Sequence, residues 1–231
     1  MAQARLVSVM DTSALWLTLR LAGLTTLCLL VLATPLALWI ASRKSVLRQV
    51  VQAAVALPLV LPPTVLGYYL LVGMGPATGV GRLLVRVIGH PLAFTFGGLL
   101  VGSILYSLPF AVQPLVVGFA GVDRGVVETA RVLGASPWVL FRRVLLPLAK
   151  SSFVTAAVLT FAHTLGEFGV VLMIGGDIPG VTRTLSISIY DLVEDMKYGA
   201  ASRTALALVA LSFVALLVLY GRSARRGQEI G

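Results

Sequence analysis

Two ionisable side chains stand where a chain this apolar should have none. The run T-F-A-H-T-L-G-E-F-G fills residues 160–169 and sets His163 and Glu167 four residues apart. In a continuous helix that spacing puts both on one face. Ionisable groups deep in an apolar span mark a functional site by default. An imidazole and a carboxylate can hydrogen-bond to each other, act across a subunit interface or relay a proton, and Thr164 adds a hydroxyl beside them. A second polar interruption lies in L-P-L-V-L-P-P-T-V-L-G-Y-Y-L-L-V at 57–72. Pro58, Pro62 and Pro63 lack the N–H that a helix needs. The carbonyls they free are tolerated in hydrocarbon only where protein or a watery path covers them. Pro62, Pro63, Thr64 and Tyr68 are therefore grouped with His163, Thr164 and Glu167 as the lining of a pathway or gate. Bond-breaking chemistry is not indicated. The chain has no G-x4-G-K-[ST] phosphate loop, no Ser/His/Asp arrangement and no cluster of metal ligands. No cofactor is expected in it.

The elements that must hold these groups are membrane spans. Of 231 residues, 58% are hydrophobic and 12% charged, about half the charge of an ordinary soluble domain. The expected fold class is all-α and integral to the membrane, with five spans over about 14–41, 50–72, 92–118, 152–175 and 204–221. Each reaches or approaches the roughly 20 residues that cross the hydrocarbon. The first is read as a retained span, because its apolar run from Leu21 to Ala41 exceeds a signal-peptide core. Arg43, Lys44 and Arg48, then Arg124, Arg131, Arg142, Arg143 and Lys150, then Arg222, Arg225 and Arg226 mark one face as cytoplasmic. The other flanks hold Arg5, Arg82, Arg86, Arg183, Lys197 and Arg203, offset by acidic residues. The N-terminus is then outside and the C-terminus inside. The net charge of +9 belongs to these flanks and not to nucleic-acid binding. Cys28 lies in an apolar run and reads as a packing residue.

Residues 122–147 cannot be a span. They carry Asp123, Arg124, Glu128, Arg131, Arg142 and Arg143, and each charge would cost roughly 2.5–3.5 kcal/mol at the bilayer centre. Asp123 caps a first helix that ends at Gly134, the residue type suited to a left-handed C′ position. Ser136-Pro137 reads as N-cap and N1 of a second. Two short helices on the membrane surface make a knob another protein can grip. In the opposite loops, Arg82 and Arg86 share a face of any short helix and could meet an acidic docking surface. A helix over 184–196 would present Tyr190, Asp191, Glu194 and Asp195. Gly97, Gly98, Gly102, Ser103 and Ser107 are read mainly as a close-packing stripe, and Tyr106, Pro109 and Gln113 as positions facing a path.

E-T-A at 128–130, Gly134 four residues on, and V-L-L-P at 144–147 resemble the E-A-A-x3-G-x9-I-x-L-P loop of ABC importer permeases, with Thr129 and Val144 as conservative departures. The P-L-V-L-P-P-x-V-x-G-Y block, L-G-E-F-G and I-P-G-V-T-R-T resemble the molybdate branch of the tetrahedral-oxyanion permeases. His163 stands where that branch has Arg. The resemblance covers about 13–220 as one transmembrane permease domain containing the 122–147 loop. It implies a type I ABC importer permease in the cytoplasmic (inner) membrane, multi-pass and homodimeric. It further implies two copies of a separate ABC ATPase and an extracytoplasmic molybdate-binding protein as partners. Glu128 and Gly134 are expected to shape the coupling loop, Glu128 through a helix-fixing ion pair or hydrogen bond. Ala130, Leu133, Ala135 and Trp138 would contact the ATPase. Glu167 is a poor direct ligand for an anion, so a gate or structural hydrogen bond is expected of it. The rivals are a sulfate or thiosulfate permease of the same class, and a stand-alone proton-coupled transporter using His163 and Glu167.

Overall fold

The computed structural model describes residues 11–42 and 45–227, the side chains of 218–227 excepted. Arg5, Arg43 and Lys44, on which the expected orientation partly rests, lie outside the described residues, as do the side chains of Arg222, Arg225 and Arg226. Every regular element described is helical. Helix α1, Thr12–Ser42, begins where Asp11 Oδ1 accepts from the backbone N–H groups of Ser13 and Ala14, at 3.0 and 3.1 Å. Helix α5 is Phe96–Ala120, capped by the Thr95 hydroxyl, and α11 is Tyr198–Gly227. These three are each long and apolar enough to cross a membrane.

The other two expected spans depart from simple helices. The stretch 50–72 is sharply broken. Helix α2, Val46–Ala56, runs into a 3₁₀ turn at Leu57–Leu59, and α3, Pro63–Met74, then leaves at 108° to it. Pro62 and Pro63 have no N–H to continue the ladder, and Pro63 is preset for the first turn of a new helix. The stretch 152–175 is also interrupted. Helix α8, Lys150–Leu165, stops at Gly166, and α9, Gly169–Gly175, resumes after Glu167 and Phe168. Two glycines within four residues weaken the helix there. Upstream, α8 meets α7, Pro137–Leu148, at 73°. Counting each bent pair as one span gives five. The shorter elements are α4, Gly79–Ile88, α6, Arg124–Val132, and α10, Leu185–Glu194.

Helices α1, α5 and α8 pack into a central bundle around Leu29, Ala33, Ala37, Val112, Leu115 and Ala156. Helix α9 is wedged between α3 and α5, where Val170 and Ile174 meet Met74 and Leu92. Small residues permit the wedge, as they do generally between membrane helices. A Cβ on Gly67 of α3 would sit 2.7 Å from Met173 Cβ, and one on Gly102 of α5 would sit 2.6 Å from Ile174 Cδ1. The expected packing role of Gly102 is thus met. Helix α10 is tied to α1 by Thr18, whose hydroxyl accepts from Leu185 N at 2.9 Å and donates to Ala14 O at 2.7 Å.

Candidate functional site

The connector between α5 and α8 is built by its own caps. Asp123 Oδ1 accepts from Gly125 N at 2.6 Å and opens α6. The helix closes with Gly134 at φ +79, where Gly134 N donates to Arg131 O and Ala135 N to Ala130 O, at 2.9 and 3.0 Å. That left-handed closure is the one Gly134 predicts. Ser136 Oγ then accepts from Val139 N at 3.3 Å, and Pro137 is the first residue of α7. Within α7, residues Phe141–Leu145 are wound as a π-helix, with Leu146 N bonding back to Phe141 O. The wider turn precedes Pro147, whose ring would clash with the carbonyl of Arg143 in a regular helix. The tip between the helices is exposed, with Leu133 at 81% and Trp138 at 66%. Ala130 and Ala135 are half-buried beside them. Glu128 is exposed and makes no hydrogen bond or ion pair among the described residues. Its expected part as a helix-fixing partner within this chain is therefore not seen among the described residues.

The second site is a cavity of about 600 Å³ at the two helix breaks. Pro63 and Thr64 from α3, Tyr106 from α5, His163 from α8 and Glu167 with Phe168 from the α8–α9 break line it. Four of the expected pathway residues, Pro63, Thr64, His163 and Glu167, are thus brought together. Gly169 allows the approach, since a Cβ there would lie 2.8 Å from Pro63 Cβ. Three are not in the lining. Pro62 caps α3 from outside, Tyr68 faces outward against Tyr69, and Thr164 lies behind His163, linked to it through Ser107.

His163 and Glu167 do not share a helix face, because α8 ends between them. No hydrogen bond joins them among the described residues. His163 is held instead by α5. Its ring stacks on Phe110 at 4.0 Å and lies 4.8 Å from Tyr106. Its Nδ1 is 2.9 Å from Ser107 Oγ, which is 3.0 Å from Thr164 Oγ1. Proton counting orders this chain. Thr164 donates its one hydroxyl hydrogen to Thr160 O at 2.9 Å, so toward Ser107 it can only accept. Ser107 then donates to Thr164 and accepts from His163 Nδ1–H. Nε2 is the ring nitrogen left for other partners. Glu167 is 3% exposed, and neither carboxylate oxygen has a hydrogen-bond partner among the described residues. Ser103 adjoins it without a hydrogen bond of good geometry. Phe110 escapes a motif-based reading, and Ser107, read as a packing residue, gains its part in holding His163 only from contacts across helices.

A polar cleft of about 390 Å³ lies between the α9–α10 loop and α10. Arg183 Nη2 donates to Asp177 Oδ2 at 2.6 Å and stands 3.4 Å from Asp191 Oδ2. The hydrogen bond from Arg183 holds Asp177 below the usual carboxylate range. Burial, then the neighbouring Asp177, pushes Asp191 up to about 6. Tyr190 OH donates to Glu194 at 2.7 Å, and Lys197 pairs with Asp195. No group of three or more His, Cys, Asp and Glu side chains suited to a metal ion occurs among the described residues.

Comparison with known proteins matches these features to one family. The family of binding-protein-dependent transport system inner membrane components matches residues 33–226. The molybdenum transport system permease protein ModB of Azotobacter vinelandii is 53% identical over 216 residues, covering 94% of this chain and 95% of that protein. ModB of Escherichia coli (strain K12) is 35% identical over 172 residues, covering 74% and 75%. Among solved structures, a bacterial alginate ABC transporter in complex with alginate pentasaccharide-bound periplasmic protein matches with TM-score 0.75 and 22% identity, over 93% of this chain and 78% of that one. The MetNI methionine ABC transporter in an inward-facing conformation matches with TM-score 0.70 and 19% identity, over 94% and 95%. The fold is that of type I ABC importer permeases, as the loop resemblance implies. With the family model spanning most of its length, the chain belongs to the binding-protein-dependent transport system inner membrane components.

Proposed function

We propose that this chain is the membrane subunit of an ATP-driven importer for molybdate, and for the similarly sized tungstate. Two copies pair across a two-fold axis. A separate ABC ATPase subunit grips each 122–147 connector, and an extracytoplasmic molybdate-binding protein delivers cargo to the opposite face. The observation that carries this reading is the 53% identity to an Azotobacter vinelandii molybdenum permease along nearly the whole of both chains. The exposed, fully capped connector supports it with a surface suited to a partner.

The mechanism is alternating access. ATP binding draws the two ATPases together, and the paired connectors move with them. Each connector reaches the cavity directly, since α7 runs into α8 and α8 carries His163 at its far end. A shift of the connector therefore changes how Glu167 and His163 sit against Pro63 and Thr64. Gly134 sets the connector's turn, and Leu133, Ala135 and Trp138 provide its contact surface. Glu167 acts as a gate or structural group, because a carboxylate repels a dianion.

Uptake of labelled molybdate tests the proposal, in cells expressing this chain with its ATPase and binding protein. Uptake that needs ATP, is blocked by excess tungstate and ignores sulfate is the expected result. Block by sulfate would move the chain to the sulfate and thiosulfate branch. Uptake without the ATPase would overturn the coupling assignment and revive the proton-coupled alternative.

A further inference from the structure

Helix α4, Gly79–Ile88, plays no part in the connector or the cavity, and its three faces differ sharply. At about 100° per residue, Val80, Leu83 and Val87 fall in one narrow sector. All are exposed, at 65%, 59% and 76%. Arg82 and Arg86 fall together in the next sector and are exposed too. Among the described residues Arg82 hydrogen-bonds the backbone carbonyl of Ala77, at 3.4 Å, and neither arginine forms an ion pair. The remaining sector faces the protein. Leu84 packs on the Met74, Leu92, Val170 and Ile174 cluster. Gly81 lies so close to Gly75 that a Cβ would collide with its carbonyl oxygen.

The helix is also fixed in place. Thr78 Oγ1 lies 2.7 Å from Gly73 O and accepts from Gly81 N at 2.9 Å, locking the turn that joins α4 to the end of α3. Tyr68 and Tyr69, exposed on α3, lie about 8 Å before that end at 1.5 Å per residue. Tyrosines are enriched at the boundary between acyl chains and headgroups. An apolar ridge flanked by cations, held at the end of a membrane element beside tyrosines, matches an interfacial helix.

We propose that α4 lies in the membrane interface, with Val80, Leu83 and Val87 among the acyl chains and Arg82 and Arg86 on the phosphates of anionic lipid. A solvated loop would leave the ridge in water. A docking surface for a binding protein would use the arginines and leave the ridge without a partner.

Spin labels test this in the full chain, reconstituted in nanodiscs of phosphatidylcholine and phosphatidylglycerol. On a Cys28→Ser background, labels are placed by Arg82→Cys, Leu83→Cys, Arg86→Cys and Val87→Cys, one at a time. The ratio of collisions with oxygen to collisions with an aqueous nickel chelate is expected to be about fivefold higher at 83 and 87 than at 82 and 86. Equal ratios at the four positions would overturn the proposal. So would open access of the chelate to 83 and 87 that only added binding protein blocks. A fluorophore at 87 tests the arginines. Its quenching by brominated phosphatidylglycerol over phosphatidylcholine should fall by about fivefold for each of Arg82→Gln and Arg86→Gln. Lack of any lipid preference in the unsubstituted helix would refute the phosphate contact.

Discussion

Replacing Gly134 should uncouple transport from ATP hydrolysis without loosening the membrane helices, and the size of the effect follows from the backbone. Gly134 sits at φ +79, and a Cβ built there meets nothing within 4 Å. The cost of Gly134→Ala is therefore conformational rather than steric crowding with neighbours. An L-residue in the left-handed region costs about 1–2 kcal/mol, which lowers the equilibrium constant for the native turn by about 5- to 30-fold, at 1.4 kcal/mol per factor of ten. Gly134→Pro goes further. It cannot reach positive φ, it removes the N–H that bonds Arg131 O at 2.9 Å, and it disfavours helical geometry at Leu133. About 3 kcal/mol or more lowers that equilibrium constant by about 100-fold or more. The assay is ATPase activity of the assembled transporter in proteoliposomes, with and without molybdate-loaded binding protein. Gly134→Ala should blunt the stimulation and Gly134→Pro abolish it, both with near-normal thermal unfolding. Gly199→Ala is the control, since its Cβ also meets nothing within 4 Å and its φ is not positive. Normal stimulation and uptake in Gly134→Pro would refute the reasoning.

Ser107→Ala removes both the acceptor for His163 Nδ1–H and the donor to Thr164, and should cost about 1–3 kcal/mol; an unchanged melting temperature in detergent would show that the network contributes nothing. Gly169→Ala forces a Cβ to 2.8 Å from the rigid Pro63 ring, and overpacking of this kind should cost about 1–3 kcal/mol. Thermal unfolding reads it, and a variant as stable as the parent would mean that α3 and α9 separate freely. The polar cleft between the α9–α10 loop and α10 gives a pH prediction. Asp191 is raised to about 6 in the folded chain, so folding takes up a proton and this residue's contribution weakens as pH rises from about 4 to about 6. Asp177, held below its ordinary value, contributes in the opposite sense, its stabilisation being lost as pH falls through its folded pKa. Asp191→Asn should therefore raise the melting temperature at pH 7.5 relative to the parent and gain less on acidification to pH 5. A variant less stable than the parent at pH 7.5 would mean that the Arg183 contact outweighs burial.

The connector was legible in the sequence because capping is local chemistry. Asp123, Gly134, Ser136 and Pro137 each act within about four residues of themselves, and the structure forms both helices where those residues direct. The long spans over Thr12–Ser42 and Phe96–Ala120 were legible for a similar reason, since length and apolarity are read residue by residue. Which face of a span is buried was not. These helices are apolar all round, so Leu29 is fully buried while Leu27 and Val31, two residues to either side, are largely exposed, and no periodicity separates them.

The prolines announced a break near residue 60, but its 108° turn depends on where α3 finds a partner. That partner is α9, and the contact exists because Gly67 and Gly169 leave room for Met173 and Pro63. Helix α8 ends before Glu167, so a spacing of four residues did not place His163 and Glu167 on one helical face. The hydrogen bond that orients His163 is donated to Ser107, 56 residues away. Short-range patterns thus determined the caps, the spans and the two-helix connector. The cavity was decided only in three dimensions, by close approach of small residues between helices whose own sequences offer no preferred face.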